Sequence, residues 1–179
     1  MTVLQIPERP PLKAAGLDFA TLVRQHQAMV FSICWHVLHD RAVAEELAQD
    51  VFLSLHQHLA TLESPEHVLF WLRRVTSNRA LDVLRRRQRR PMVSLENAPE
   101  PVAVSSTGDP MLNTALRKLV AALPEKARAI VVLRYQEDLD PAEITRILAI
   151  PVGTVKSQLQ RALALLREKL SRSLGEIRL

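Results

Sequence analysis

Glycine is scarce in this chain: four residues in 179. A Gly-rich phosphate cradle, which needs several bare backbone positions, is therefore not expected. Cysteine is scarcer still. Cys34 stands alone, so no internal disulfide can form, and a reducing, cytoplasmic setting is expected. No apolar stretch reaches the roughly 18–20 residues that a membrane span requires. The first sixteen residues, MTVLQIPERPPLKAAG, lack a basic start followed by an apolar core, which argues against a secretory signal. Runs of alternating β-branched residues are missing too, so no sheet is expected. Nucleophile elbows and His-Glu metal motifs are absent, and an enzyme is not expected.

What is present favours helix and a polyanionic partner. Apolar residues make up 47%, and Leu, Ala, Arg and Glu dominate. The net charge of +5 is unevenly spread. Residues 1–65 carry four Lys/Arg against seven Asp/Glu, whereas residues 66–90 carry eight Arg against Glu66 and Asp82. Residues 91–111 contain three acids and no Lys or Arg, in a Pro- and Ser-rich run with no helical or strand period. Residues 112–179 return to twelve Lys/Arg against seven acids. The expected layout is a disordered arm over 1–17, a helical domain over 18–90, a flexible linker over 91–111 and a second helical domain over 112–179. The fold class is all-α.

Local signals mark the helices. Asp18 caps a segment to about Leu38, which the sequence leaves as one helix or two. A second element follows Asp40, with Ala44, Leu47, Val51, Leu55 and Leu59 as its apolar stripe. After a break at Ala60–Ser64, Ser64-Pro65-Glu66 opens a long helix to about Arg90, with Leu72, Val75/Thr76, Ala80 and Val83 facing inward. In the second domain, helices are expected over 112–122 and from Pro124-Glu125 to about Gln136. Asp140-Pro141-Ala142-Glu143 has the form of a capping box. It starts a short helix to Ala149, and a tight turn then leads to a last helix over about 152–172, whose stripe is Val152, Val155, Leu159, Ala162/Leu163 and Leu166.

Four constellations could carry function. The last helix turns Thr154, Lys156, Ser157, Gln158, Gln160 and Arg161 to its other face. These types bond phosphates and base edges, so the pair of helices reads as a DNA-binding helix-turn-helix. The long arginine helix ends in Arg85-Arg86-Arg87-Gln88-Arg89-Arg90, more cation than a helix C-terminus needs, and predicts salt-dependent contact with phosphates. Glu45/Glu46 and Gln49/Asp50 share one face of the second helix, which suits either a basic protein surface or solvent alone. Cys34, His36, His39, His56, His58 and His67 lack the tight spacing of a structural metal site, and no metal or cofactor is expected.

These pieces, in this order, resemble the extracytoplasmic-function group of bacterial sigma factors over about residues 18–90 and 112–172. Ala44-Glu45-Glu46-Leu47-Ala48-Gln49-Asp50-Val51-Phe52-Leu53 and the Trp71–Arg86 run resemble the family's region 2. Ala122–Arg128, Glu143-Ile144…Leu148 and Val152-Gly153-Thr154-Val155-Lys156-Ser157 resemble its region 4. The resemblance implies a dissociable subunit that gives core RNA polymerase its promoter specificity, controlled by an anti-sigma factor. It implies a polymerase-binding set of Glu45, Glu46, Gln49, Asp50 and Phe52. Residues implied at the single-stranded −10 element are Leu62, Arg74, Asn78, Arg79, Asp82, Arg85 and Arg86. At the duplex −35 element they are Arg134, Thr154, Lys156, Ser157, Gln158, Gln160 and Arg161. Some positions depart from the family pattern. Glu46 replaces an Asp, Ala149 replaces the turn Gly, and Gln158 stands where Arg is frequent. Two other readings use the same features: a stand-alone helix-turn-helix regulator, and a protein that sequesters another factor.

Overall fold

Four helix starts are capped by side chains of their own neighbours. In the computed structural model, which describes residues 18–89 and 110–176, with side chains over 116–172 in the second stretch, the helices are α1 Phe19–Leu38, α2 Arg41–His58, α3 Pro65–Arg89, α4 Pro110–Ala121, α5 Glu125–Tyr135, α6 Pro141–Leu148 and α7 Val152–Glu176. The expected arm and nearly all of the expected linker lie outside the described residues. The Asp18 carboxylate accepts the Thr21 amide at 2.9 Å, and Asp40 accepts the Val43 amide at 3.1 Å. Ser64 Oγ accepts the His67 amide at 3.1 Å ahead of Pro65. Asp140 forms a full capping box: its carboxylate accepts the Ala142 and Glu143 amides, and Glu143 accepts the Asp140 amide at 2.8 Å. These bonds satisfy donors that a helix start otherwise leaves open.

The first domain is α1–α3 with a single 3₁₀ turn, Leu59–Thr61, between α2 and α3. The segment 19–38 is one helix. Leu22, Val30, Val51, Leu55, Leu59, Leu62, Val68 and Leu72 form one of its apolar clusters. The second domain is α4–α7. Leu123, Ala127, Val131, Ala162 and Leu166 form a smaller cluster there. All described secondary structure is helical, as the composition implied.

The largest cluster belongs to both domains. Ile33, Cys34, Val37, Ala44, Ala80 and Leu81 of the first pack with Ala129, Ile130, Leu133, Ile144, Ile147 and Val155 of the second. Helix α5 lies against α1 and α3, and α6 lies against α3. Burial of this kind contributes roughly 25 cal/mol per Å² of apolar surface removed from water, so the domains associate by the same effect that builds each one.

Among the described residues, three non-glycine residues adopt left-handed backbone angles: His39, Asp138 and Ala149, at φ 52°, 50° and 53°. Ala149 ends α6 and makes the helix-turn-helix corner. An alanine Cβ is crowded in this conformation, and it occupies the position where glycine would cost nothing.

Candidate functional site

The acidic face of α2 is open. Glu45, Glu46, Gln49 and Asp50 are all exposed. Arg41 binds Glu45 at 2.8 Å, an exposed pair worth little. Phe52 is only partly accessible, because its ring packs against the core cluster of α1–α3. Its neighbour Leu53 takes the outward place and is 63% exposed. Glu46, Gln49/Asp50 and Leu53 stand at i, i+3/i+4 and i+7, so an apolar knob sits among the acids on one stripe. Each helical residue turns the direction by about 100°, which is why a one-residue shift exchanges core for surface.

Helix α3 divides its polar residues between the fold and solvent. Arg79 reaches α2, where it donates to the Asp50 carbonyl and the Ser54 hydroxyl, each at 3.1 Å. That makes it a brace under the acidic face. Arg85 pairs with Asp82 at 2.8 Å, and Arg87 pairs with Asp40 at 2.8 Å. The side chains of Arg74 and Arg86 are exposed and have no partner among the described residues. Leu62, implied at the −10 element, is a core residue at 2% exposure and offers nothing to a nucleic acid in this conformation. Asn78 donates to the Arg74 carbonyl at 2.9 Å and to the Ile147 carbonyl at 3.1 Å. The second bond crosses to α6 of the other domain.

The helix-turn-helix presents α7 outward. Val155, Ala162 and Leu166 anchor it. Val152, expected in that stripe, is instead 44% exposed. Lys156, Gln160 and Arg161 are exposed, while Thr154, Ser157 and Gln158 are half-buried. The Ser157 hydroxyl donates to the Thr154 carbonyl at 3.1 Å. Arg134 lies at the rim. It donates to the Leu139 carbonyl at 3.3 Å, pairs with Asp138 at 3.4 Å and stacks over the Tyr135 ring.

Polar bonds lock the two domains together around the shared apolar cluster. Arg73 of α3 meets Glu137, after α5, at 3.1 Å, and the two side chains are 20% and 8% exposed. Burial pushes the Glu137 carboxyl above its ordinary range, against the pull of Arg73. Arg128 of α5 donates to the Val37 carbonyl at 2.7 Å and to Leu123 at 3.2 Å, and Gln136 bonds Ser32. Sequence reasoning missed Arg73, Arg128 and Glu137, because each partner lies far along the chain.

His39 closes α1 beside this seam. Burial lowers its pKa to about 4, with Arg128 and His36 adding repulsion, so the ring is neutral near pH 7. Burial raises the Cys34 thiol to about 12 and keeps it protonated. No group of three or more metal-ligating side chains converges among the described residues.

An open acidic helix, an arginine helix and an outward-facing polar helix, in that order, coincide with known sequence families. The family pattern Sigma-70 region 2 matches residues 22–90, and Sigma-70, region 4 matches residues 113–166. The chain belongs to the sigma-70 family of RNA polymerase sigma factors. Within it, the relatives place this sigma factor in the extracytoplasmic-function group. It is 31% identical to the ECF RNA polymerase sigma factor SigM of Mycobacterium tuberculosis over 157 residues, covering 88% of this chain and 77% of that one. It is 30% identical over 170 residues to the probable RNA polymerase sigma factor RfaY of Xanthomonas campestris, covering 89% of this chain but only 42% of that longer protein. Among solved structures, the sigma factor RpoE from Bartonella quintana, in complex with the anti-sigma factor NepR, has the same fold. Its TM-score is 0.72 at 20% identity, over 86% of this chain and 97% of that one. No helix among the described residues is long and apolar enough to cross a membrane.

Proposed function

We propose that this sigma factor directs core RNA polymerase to promoters in the cytoplasm and performs no chemistry itself. The stripe Glu46, Gln49, Asp50 and Leu53 docks on the polymerase, with Glu45 beside it. Acids steer the encounter and exclude wrong partners, and the leucine supplies desolvated contact. Arg74, Asn78, Asp82, Arg85 and Arg86 line the path of the unpaired −10 strand, where each neutralised phosphate makes binding salt-dependent. Lys156, Gln160 and Arg161 enter the major groove at −35, flanked by Thr154, Ser157 and Gln158, with Arg134 on the backbone.

One observation carries the reading. Charges of opposite sign are segregated onto helices that remain exposed, and the fold needs neither the α2 acids nor the α7 amides and cations. The packed arrangement is a resting form. With Asn78 bonded to α6 and Arg73 bonded to Glu137, part of the −10 face is covered, so the domains must part before that strand is captured. A partner that holds the domains together would act as an anti-sigma factor.

Run-off transcription with purified core polymerase and a genomic fragment library tests the proposal. Discrete start sites that depend on the protein are expected. Core binding without start sites would replace it with a sequestering role. Tight duplex binding without polymerase would replace it with a stand-alone regulator.

A further inference from the structure

Gly153 is the second residue of α7, and nothing inside the chain requires it. Its φ lies outside the left-handed region, so no backbone constraint calls for glycine. A Cβ built on it would meet no atom within 4 Å. The position is exposed. Glycine in a helix interior forfeits propensity relative to alanine, because the unfolded chain has more freedom to lose, and in a first turn it forfeits a part of that. The site therefore carries a local cost that no contact in the fold offsets.

The surroundings indicate what the bare backbone serves. Lys156 and Gln160 lie three and seven residues on, along the exposed face that begins at Gly153. Helical side chains lean toward the N-terminus, so Lys156 and Ser157 extend over the turn that Gly153 leaves uncovered. The result is a strip of main chain without a side chain, framed by groups that bond phosphates and base edges.

We infer that Gly153 is the closest-approach point of α7 on duplex DNA, a positioning residue that sets how deeply the helix enters the groove. This rests on the assignment of α7 to the −35 element. A methyl group here would stand between the helix backbone and the DNA. It would hold Lys156, Gln160 and Arg161 away from base edges whose hydrogen bonds tolerate little lengthening.

The test is Gly153→Ala in the full-length chain, assayed in holoenzyme on a promoter fragment recovered by run-off transcription. Two effects are expected. The melting midpoint stays level or rises by up to about 2–4 °C, the upper figure being a full helix-interior propensity gain in a chain of this size. Initiation falls by roughly fivefold or more, the scale of one displaced base contact, and the difference disappears on a fragment with a scrambled −35 element. Lys156→Ala and Arg161→Ala run in parallel. If these lower initiation while Gly153→Ala stays within about twofold of the parent, the inference falls and the α7 assignment stands. If all three leave initiation unchanged, both fall. A lowered melting midpoint would also overturn the inference, since glycine would then be serving the fold.

Discussion

Removing Arg73 should open the molecule. Its guanidinium is the cation facing Glu137, whose side chain is 8% exposed where the domains meet. In Arg73→Ala the carboxylate is left buried without its counter-charge. Breaking a buried pair from one side costs about 3–5 kcal/mol. Arg73 itself is 20% exposed, so the low end applies, about 3 kcal/mol or roughly a 150-fold shift in the docking equilibrium. The carboxylate avoids the penalty either by taking a proton or by returning to water as the domains separate. Separation exposes Val37, Ile33, Ile130 and Ile147 of the shared cluster. Hydrogen exchange along α1 and α5, with X-ray scattering for overall dimensions, reports the change. Arg73→Met combined with Glu137→Leu removes both charges and should restore docking, because matched apolar replacements of a buried pair are often neutral or stabilising. If Arg73→Ala shows the parent's protection and dimensions, the pair does not hold the domains together.

Four further outcomes follow from substitutions elsewhere. Leu53→Ala should weaken core polymerase binding by about tenfold with no change in melting midpoint, whereas Phe52→Ala should lower the midpoint through lost packing, as calorimetry alongside a binding assay would show. Glu46→Lys with Asp50→Lys should abolish core binding at unchanged helical content by circular dichroism. Ala149→Gly should stabilise the second domain by roughly 1 kcal/mol in denaturant titration, by relieving the left-handed alanine. For His39, burial holds the folded pKa near 4, below the 6.5 of the unfolded chain, so its contribution is present above pH 6.5 and is lost as pH falls toward 4. His39→Asn, which also tolerates the left-handed angle, should flatten that part of the stability-against-pH curve.

Helix starts and core stripes were legible in the sequence because their causes are local. Asp18, Asp40, Ser64-Pro65 and the Asp140 box each satisfy amides within three residues, and the sequence displays both partners of such a bond. The acidic α2 face and the polar α7 face were legible for the same reason. The rest was illegible where a side chain answers to something distant. Phe52 and Leu53 differ by one step of helical phase, and only the packing of α1 and α3 decides which is buried. Leu62 follows a 3₁₀ turn, whose direction periodicity does not give. Arg79 and Asn78 resemble free DNA contacts in the sequence, yet Arg79 braces α2 and Asn78 bonds a carbonyl 69 residues away. The domain contact itself was illegible, because Arg73 and Glu137 are 64 residues apart and nothing near either one names the other.

On the proposed assignments, that contact covers one working face and spares two. Glu46, Asp50 and Leu53 are open in the closed form, as are Lys156, Gln160 and Arg161, while Asn78 is engaged with α6. If α2 is the docking face proposed above, polymerase can meet it before the domains part, and the opening cost falls on a later step. Glu137→Lys separates the two possible orders without altering any residue of α2 or α3. It sets a like charge against Arg73 and so favours the open form. The equilibrium Kd for core should fall, since a binding-competent state that is rarely populated weakens apparent affinity by its fraction. The association rate constant should stay within about twofold of the parent, because the docking face was already exposed. A rate constant that rises in proportion to the open fraction would mean that polymerase selects a pre-opened molecule, and the α2 face in the closed form would then be exposed without being sufficient.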